Sequence, residues 1–226
     1  MTSVTIPNSV TFIGKSAFSD CESLTDITIS GNLTTIGEEA FAYCSALTNI
    51  NIGNKVASIG ESVFLECTAL TSITIPGNVT SIGKSAFDSC YALKSVTLAE
   101  GVLSIGESAF DNCSALTSVT IPNSVTSIGE SAFDSCTALA SITIPKGMTS
   151  ISKKTFIDCT ALTNLTISDS VTFIDYLVFS RCESLTTITF NGTKEQWEAV
   201  TKKSTWSKDS AIQSIVCTDG TVTITK

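Results

Sequence analysis

Apolar and polar residues alternate along this chain in a pattern that repeats every 23 residues. Each unit has a cysteine, with a phenylalanine three residues before it and a leucine three residues after it. The cysteines in this register are Cys21, Cys44, Cys67, Cys90, Cys113, Cys136, Cys159 and Cys182. No insertion interrupts the register, so residues 7–190 form eight units of 23 residues. A strict period of this length indicates a repeat architecture in which every unit has the same structural role.

Each unit predicts one short β-strand. In residues 139–144, Leu139 is followed by apolar Ile142 and Ile144 in alternation with polar residues, which is typical of a strand with one buried face. Pro145 follows this strand, and a proline at that place ends a hydrogen-bond ladder and turns the chain. The eight units therefore predict eight parallel strands, one above the other.

The remainder of each unit predicts turns that place further apolar side chains in a shared core. In residues 122–144, Val125 and Ile128 are expected to point inward. Ala132 and Phe133 are expected to do the same from a single helical or 3₁₀ turn on the opposite side. About seven apolar side chains cannot form a core within one unit, so neighbouring units must cover one another.

The two ends of the chain differ from the repeats. Residues 1–6 read as the remnant of a preceding repeat, without a cap, which predicts that the chain is cut from a longer protein. Residues 191–226 predict a C-terminal cap. Thr193 and Gln196 form a capping box that begins a helix to about Lys203, and residues 212–216 and 221–225 predict a hairpin. Trp197 and Trp206 are expected to seal the last unit, with a tryptophan-containing ligand site as the alternative.

The units resemble leucine-rich repeats of the Treponema pallidum type, which are best known from BspA-like surface proteins. All eight match the pattern L-x-x-I-x-I-P-x-x-V-x-x-I-G-x-x-A-F-x-x-C closely, over about four fifths of the chain. The resemblance implies a right-handed solenoid with a parallel sheet on its concave side, short turns on its convex side and a C-terminal cap. A right-handed parallel β-helix is the alternative, disfavoured because each unit offers one clear strand rather than three. The seventh unit departs from the pattern, with Ser152 in place of glycine and Thr155 in place of alanine.

Composition excludes several classes of function. The formal net charge of −8 disfavours nucleic-acid binding, which needs a basic surface. The chain has no histidine, so the commonest general base and metal ligand is absent. We therefore expect no enzyme and no cofactor. We also expect no membrane insertion, because no apolar run reaches about 18 residues. Acidic residues such as Asp88, Asp111 and Asp134 are expected to form a solvated convex surface.

The cysteine column allows three interpretations. A disulfide ladder is disfavoured because in-register side chains point the same way, and Cys217 would leave an odd thiol. A metal site is disfavoured because its ligands would have to cluster, whereas here each unit supplies one thiol. We favour a column of buried free thiols, weakly hydrogen-bonded, at the bend before each strand.

The concave strand face is the candidate binding site. It is nearly uncharged and lacks Tyr, Trp and Arg, the residues that dominate protein hot spots. Threonine also suits an exposed strand for purely structural reasons. The outward residues are Asp26, Thr28, Asn49, Asn51, Ser72, Thr74, Ser95, Thr97, Ser118, Thr120, Ser141, Thr143, Asn164, Thr166, Thr187 and Thr189.

The family resemblance implies a secreted or cell-surface protein that adheres to extracellular matrix or to proteins on a host or neighbouring cell. A glycan is the second candidate partner, and an ice-like hydroxyl array is a further alternative that sheet curvature disfavours. The alternative function is a structural spacer with no ligand of its own. Because the outward columns are nearly uniform, weak multivalent adhesion or a spacer is favoured over a tight monovalent receptor.

Overall fold

The computed structural model describes residues 1–29 and 31–224. They form a solenoid of parallel strands with about nine turns and very little helix. Each 23-residue unit makes one turn of this solenoid, called a coil below. The predicted leucine-rich-repeat architecture is confirmed.

Each coil has two strands, one more than the sequence pattern predicts. The longer strands are β1 (Ser3–Ile6), β3 (Asp26–Ile29), β5 (Asn49–Asn51), β7 (Ser72–Ile75), β9 (Ser95–Leu98), β11 (Ser118–Thr120), β13 (Ser141–Ile144), β15 (Asn164–Ile167), β17 (Thr187–Phe190) and β19 (Ser214–Cys217). The two-residue strands are β2 (Phe12–Ile13), β4 (Thr35–Ile36), β6 (Ser58–Ile59), β8 (Ser81–Ile82), β10 (Ser104–Ile105), β12 (Ser127–Ile128), β14 (Ser150–Ile151), β16 (Phe173–Ile174) and β18 (Thr201–Lys202). The last strand, β20 (Gly220–Thr223), pairs antiparallel with β19.

Neighbouring coils pair in parallel with a register of one repeat. Ser72 lies opposite Ser95 in the longer strands, and Ser104 lies opposite Ser127 in the short ones. The longer strands form one sheet in the order β1-β3-β5 and another that runs from β7 to β20. The short strands escape sequence prediction because two residues are too few to show alternation.

The core consists of stacked columns of identical side chains. The phenylalanine rings from Phe18 to Phe179 are stacked, with centroids 5.1 to 5.8 Å apart. The predicted inward positions Val125, Ile128 and Ala132 are buried, as are all eight leucines of the repeat. Because each coil lacks a closed core of its own, these contacts between coils hold the solenoid together.

The convex segment is a series of turns, and the expected helical or 3₁₀ turn is wrong. Ser131 and Ser135 both have a φ of 55°, in the left-handed region, which a right-handed helix cannot accommodate. Their N–H groups, and that of Phe133, donate to carbonyl oxygens of the next coil at 2.9 to 3.1 Å. The N–H of Asp134 donates within its own coil, to Ser131 O at 3.1 Å. The turn thus forms a third hydrogen-bonded seam between coils.

Residues after 190 continue the stack for one more turn. Helix α1 (Lys194–Ala199) begins with a capping box formed by Thr193 and Gln196. It ends before the predicted Lys203, because the chain enters β18 and pairs with β16. Trp206 contacts Phe179 edge to face at 6.0 Å, where the next phenylalanine ring would lie.

The hairpin of β19 and β20 is joined to the main sheet through β17. It is shorter than the sequence predicts, and Thr225 of its predicted second strand lies outside the described residues. In the ranges 1–29 and 31–224, no helix has the length and apolar character needed to span a membrane.

Candidate binding face

The sixteen outward residues predicted from the sequence lie on one face of the longer strands; we call these sixteen residues the polar sheet face. They alternate with buried neighbours, as in Ser72–Ile75, where Ser72 and Thr74 are exposed and the two isoleucines are buried. Thirteen of the sixteen are exposed, whereas Ser141, Thr166 and Thr187 are half-buried. The predicted geometry of the face is thus observed in each of the longer strands from β3 to β17.

The residues of this face form two parallel rows. Register pairs such as Thr97 with Thr120, and Thr143 with Thr166, join equivalent positions of neighbouring strands. Neighbouring strands lie about 4.8 Å apart and outward residues along one strand about 7 Å apart. Asp26, at one end, is the only charged member of the face. The rows therefore present a neutral grid of hydroxyl and amide groups.

The side chains of this face make few hydrogen bonds within the protein. Among the described residues, only Asn49, whose Nδ2 donates to Thr48 at 3.5 Å, and Thr187, 3.1 Å from Ser214, do so. Several exposed threonines elsewhere behave differently. Oγ1 of Thr34 donates to Thr11 O at 2.9 Å, and Oγ1 of Thr163 donates to Ala140 O at 3.3 Å. The hydroxyl groups of the polar sheet face are consequently available to a partner.

A shallow groove of about 430 Å³ interrupts the face between β11 and β15. Its lining consists of Ser118, Val119, Thr120, Ile121, Asn123, Ser141, Ile142, Thr143, Pro145, Asn164 and Thr166. None of these residues is charged or aromatic. Ser141 and Thr166, two of the three half-buried members of the face, lie in this groove.

The groove lies at a loosened junction between two coils. Strands β11 and β13 share one register pair, Ser118 with Ser141, whereas β9 and β11 share three and β13 and β15 share four. The short strands β12 and β14 of the same two coils belong to different sheets. Both ladders between these coils are therefore weakened.

Ser152 gives a physical reason for this loosening. In the coil before it, a Cβ on Gly129 would lie 2.4 Å from Glu107 N and 2.7 Å from Gly106 C, so Gly129 has no room for a side chain. Ser152 carries a Cβ at the equivalent position, and the two coils lie further apart to hold it. Its Oγ donates to Ile128 O at 2.6 Å, in place of the backbone N–H that Gly106 and Gly129 use. In the sequence, the replacement of glycine by Ser152 in the seventh unit is the one sign of this junction. The sequence analysis does not predict the groove itself.

The cysteine column is structural. All nine cysteines are free thiols and all but Cys21 are buried, in agreement with the favoured interpretation except at Cys21. Sγ of Cys113 donates to Phe87 O at 3.2 Å, and the other buried repeat cysteines repeat this bond between coils. Burial raises the pKa of Cys44 to about 11, so its thiol is a poor nucleophile at neutral pH.

The convex aspartates are less solvated than the sequence analysis expected. Asp111 and Asp134 are half-buried. Burial, together with the charges of Asp134 and Asp88, raises the pKa of Asp111 to about 7. Burial, with a smaller contribution from the charge of Asp158, also raises the pKa of Asp134. Stacking in register places these carboxylates above one another, which a sequence read one unit at a time does not reveal.

Comparison with known proteins supports the repeat assignment. A family model described as BspA type Leucine rich repeat region, in 6 copies, matches residues 1–117 and 104–225. Comparison with curated protein sequences gave no match.

Solved structures with related folds include three bacterial leucine-rich repeat proteins. One from Bacteroides ovatus ATCC 8483 is 27% identical with a TM-score of 0.70, over 96% of this chain and 64% of that chain. The T. pallidum leucine-rich repeat protein is 25% identical with a TM-score of 0.57, over 81% of this chain and 77% of that chain. A leucine-rich cell surface protein from Faecalibacterium prausnitzii A2-165 is 28% identical, over 90% of this chain and 83% of that chain. Its TM-score is 0.48. The chain spans less than two thirds of the Bacteroides protein.

Proposed function

The chain belongs to the BspA-type leucine-rich repeat family, and we propose that it is a non-enzymatic binding protein that adheres to a partner protein through its polar sheet face. The observation that carries this proposal is the hydrogen-bonding state of the face. Its hydroxyl groups are mostly exposed and mostly without partners in the protein, whereas several exposed threonines elsewhere, such as Thr34 and Thr163, bond to the backbone of the neighbouring coil.

The uniform rows of this face favour many weak contacts. Each longer strand from β7 to β13 presents a serine and a threonine, and no aromatic residue or arginine provides a dominant anchor. A long partner, or several chains side by side, would engage these rows repeatedly, so that the overall affinity exceeds that of one contact. The expected partner is a protein of the extracellular matrix or of a host or neighbouring cell surface. This expected location of the partner follows from the family resemblance, as does the secreted or cell-surface location of this chain.

The experiment compares the monomeric chain with a multimer assembled on a streptavidin tetramer. Both are applied to immobilised matrix proteins, such as fibronectin, laminin and fibrinogen. Adhesion through the polar sheet face predicts that the multimer binds and that Thr97→Arg with Thr120→Arg abolishes the binding. Tyr91→Arg is the control, because Tyr91 is 50% exposed and is not part of the face. Unchanged binding by the double variant would overturn the role of the face.

A structural spacer is the second candidate function. It is favoured by the continuous stack of aromatic rings from Phe18 to Trp206, which joins all the coils into one column. A spacer predicts that neither the monomer nor the multimer binds any of the immobilised proteins, and that the chain serves only to hold another domain at a distance.

A further inference from the structure

We propose that the groove between β11 and β15 binds a neutral saccharide, so that the partner of the polar sheet face is recognised partly through its glycan. This inference rests on the proposed function, since it names the chemistry of one ligand group on the same face. It concerns one place, between Ser118 and Thr166, rather than the whole grid.

The charge of the lining selects a neutral ligand. An anionic ligand needs cationic or clustered N–H donors, and a metal ion needs carboxylates, but no residue that lines the groove is charged. The formal net charge of −8 further disfavours acidic saccharides. The groove therefore suits an uncharged group that can both donate and accept hydrogen bonds.

The polar groups of the lining match the hydroxyl groups of a sugar. The hydroxyls of Ser118, Thr120 and Thr143 can each donate and accept, as can a sugar hydroxyl. Asn123 and Asn164 add amide groups that offer a donor and an acceptor side by side. None of these five side chains has a hydrogen-bond partner within residues 1–29 and 31–224 of the protein, so binding displaces no internal bond.

The form of the groove favours a saccharide over an extended peptide. A peptide that adds a strand needs the free edge of a sheet. This groove opens on the face of the sheet instead, and its strands have no free edge there, because β11 pairs with β9 and β13 pairs with β15. A volume of about 430 Å³ lies within the range of small-ligand sites.

The test is a nuclear magnetic resonance titration of the whole chain with neutral hexasaccharides of glucose and of mannose at millimolar concentration. A hexasaccharide of hyaluronan serves as the acidic probe. The proposal predicts saturable shifts of the amide signals of Ser118, Ser141 and Asn164 with at least one neutral probe and not with the acidic one. Absence of shifts with every neutral probe, or equal shifts with hyaluronan, would overturn it.

Two matched double variants localise the site. Thr143→Val with Asn164→Leu should weaken binding about tenfold or more, because two polar partners of the sugar are removed. Thr71→Val with Asn54→Leu makes the same two kinds of change at exposed residues outside the polar sheet face and the groove, and should leave binding within about twofold. An equal loss in both variants would contradict a site at the groove.

Enzymatic removal of glycans from the immobilised matrix proteins separates this inference from the proposed function. Binding of the multimer that is unchanged by deglycosylation would overturn the saccharide assignment and leave adhesion intact. A different result is that the multimer binds neither the glycosylated nor the deglycosylated proteins while the free hexasaccharide still shifts the amide signal of Ser141. That result would overturn adhesion to these proteins and leave the saccharide site intact.

Discussion

The thiol of Cys113 donates a hydrogen bond to the carbonyl oxygen of Phe87, 3.2 Å away in the preceding coil. The same relationship joins Cys44 to Phe18 at 3.1 Å and recurs up to the bond from Cys182 to Phe156. The cysteine and phenylalanine columns are therefore one device: the aromatic ring stacks on its neighbour, and its carbonyl group receives the thiol of the next coil. This explains why the two residues keep a fixed separation in every unit.

Replacement of Cys113 by alanine should lower the free energy of unfolding by about 1–3 kcal/mol, because a buried hydrogen bond is lost and a small cavity is created. Cys21→Ala is the matched control. Cys21 is half-buried, and within the described part of the chain its thiol donates to no carbonyl. Urea unfolding of both variants measures the difference. Equal losses would show that the bond between coils does not contribute.

Reactivity of the thiols should follow burial. In the native chain Cys21 is expected to react first with a thiol reagent, because it alone of the nine is not buried. The buried cysteines from Cys44 to Cys182 should react only as the protein unfolds, since burial holds their pKa values above the ordinary value. Denaturation without reductant should release nine thiols; recovery of one or none would indicate a disulfide ladder instead.

The repeat explains how much of the fold is visible in the sequence. Alignment of the eight units with one another predicts which positions form the buried columns and which form the outward rows, because each position has the same surroundings in every coil. The turn at Ser131 and Ser135 was misjudged because an Ala-Phe pair suits a helix locally. The left-handed φ values arise from hydrogen bonds to the next coil, which local propensity does not contain. The groove was missed for the same reason, since Ser152 acts on the coil beside it.

The aromatic stack predicts a large cost for a single truncation. Phe110→Ala should lower the free energy of unfolding by about 3–5 kcal/mol. The ring of Phe110 is fully buried and lies 5.2 Å from that of Phe87 and 5.4 Å from that of Phe133, so the cavity is enclosed on both sides. Tyr91→Ala, at an exposed aromatic residue, should change stability by less than about 0.5 kcal/mol. Chemical denaturation measures both variants, and a loss below 1 kcal/mol for Phe110→Ala would contradict stabilisation by the stack.

The glycine column predicts an asymmetry between two opposite substitutions. Gly106→Ser should destabilise the protein by about 1–3 kcal/mol, because its Cβ would lie 2.6 Å from the backbone of Gly83. Ser152→Gly should change stability by less than about 1 kcal/mol. The variant loses the bond from Ser152 Oγ to Ile128 O but allows the backbone N–H of residue 152 to take its place. Glycine also increases the entropy of the unfolded chain, which offsets part of the gain from closer packing. Hydrogen exchange should show slower exchange at residue 152 in this variant. Equal destabilisation by the two changes would contradict Ser152 as the cause of the loosened junction.

Asp111 predicts an unusual dependence of stability on pH. Its folded pKa of about 7 lies above the value near 4 of an unfolded aspartate, mainly because of burial and then because of the charges of Asp134 and Asp88. The folded state therefore binds more protons than the unfolded state between these two values. The resulting stabilisation is complete below about pH 4 and is lost as the pH rises through about 7.

Because other carboxylates titrate at low pH, the decisive measurement is the change caused by Asp111→Asn rather than the profile itself. Asparagine is uncharged at every pH, so the variant should gain stability relative to the original chain at pH 8 and lose most of that advantage at pH 5. Asp26→Asn, at the exposed aspartate of the polar sheet face, is the control for the removal of one carboxylate. Urea midpoints at the two pH values test the difference. An Asp111→Asn profile parallel to that of the original chain would mean that this carboxyl group titrates alike in the folded and unfolded states, and that stacking three aspartates between coils carries no penalty at neutral pH.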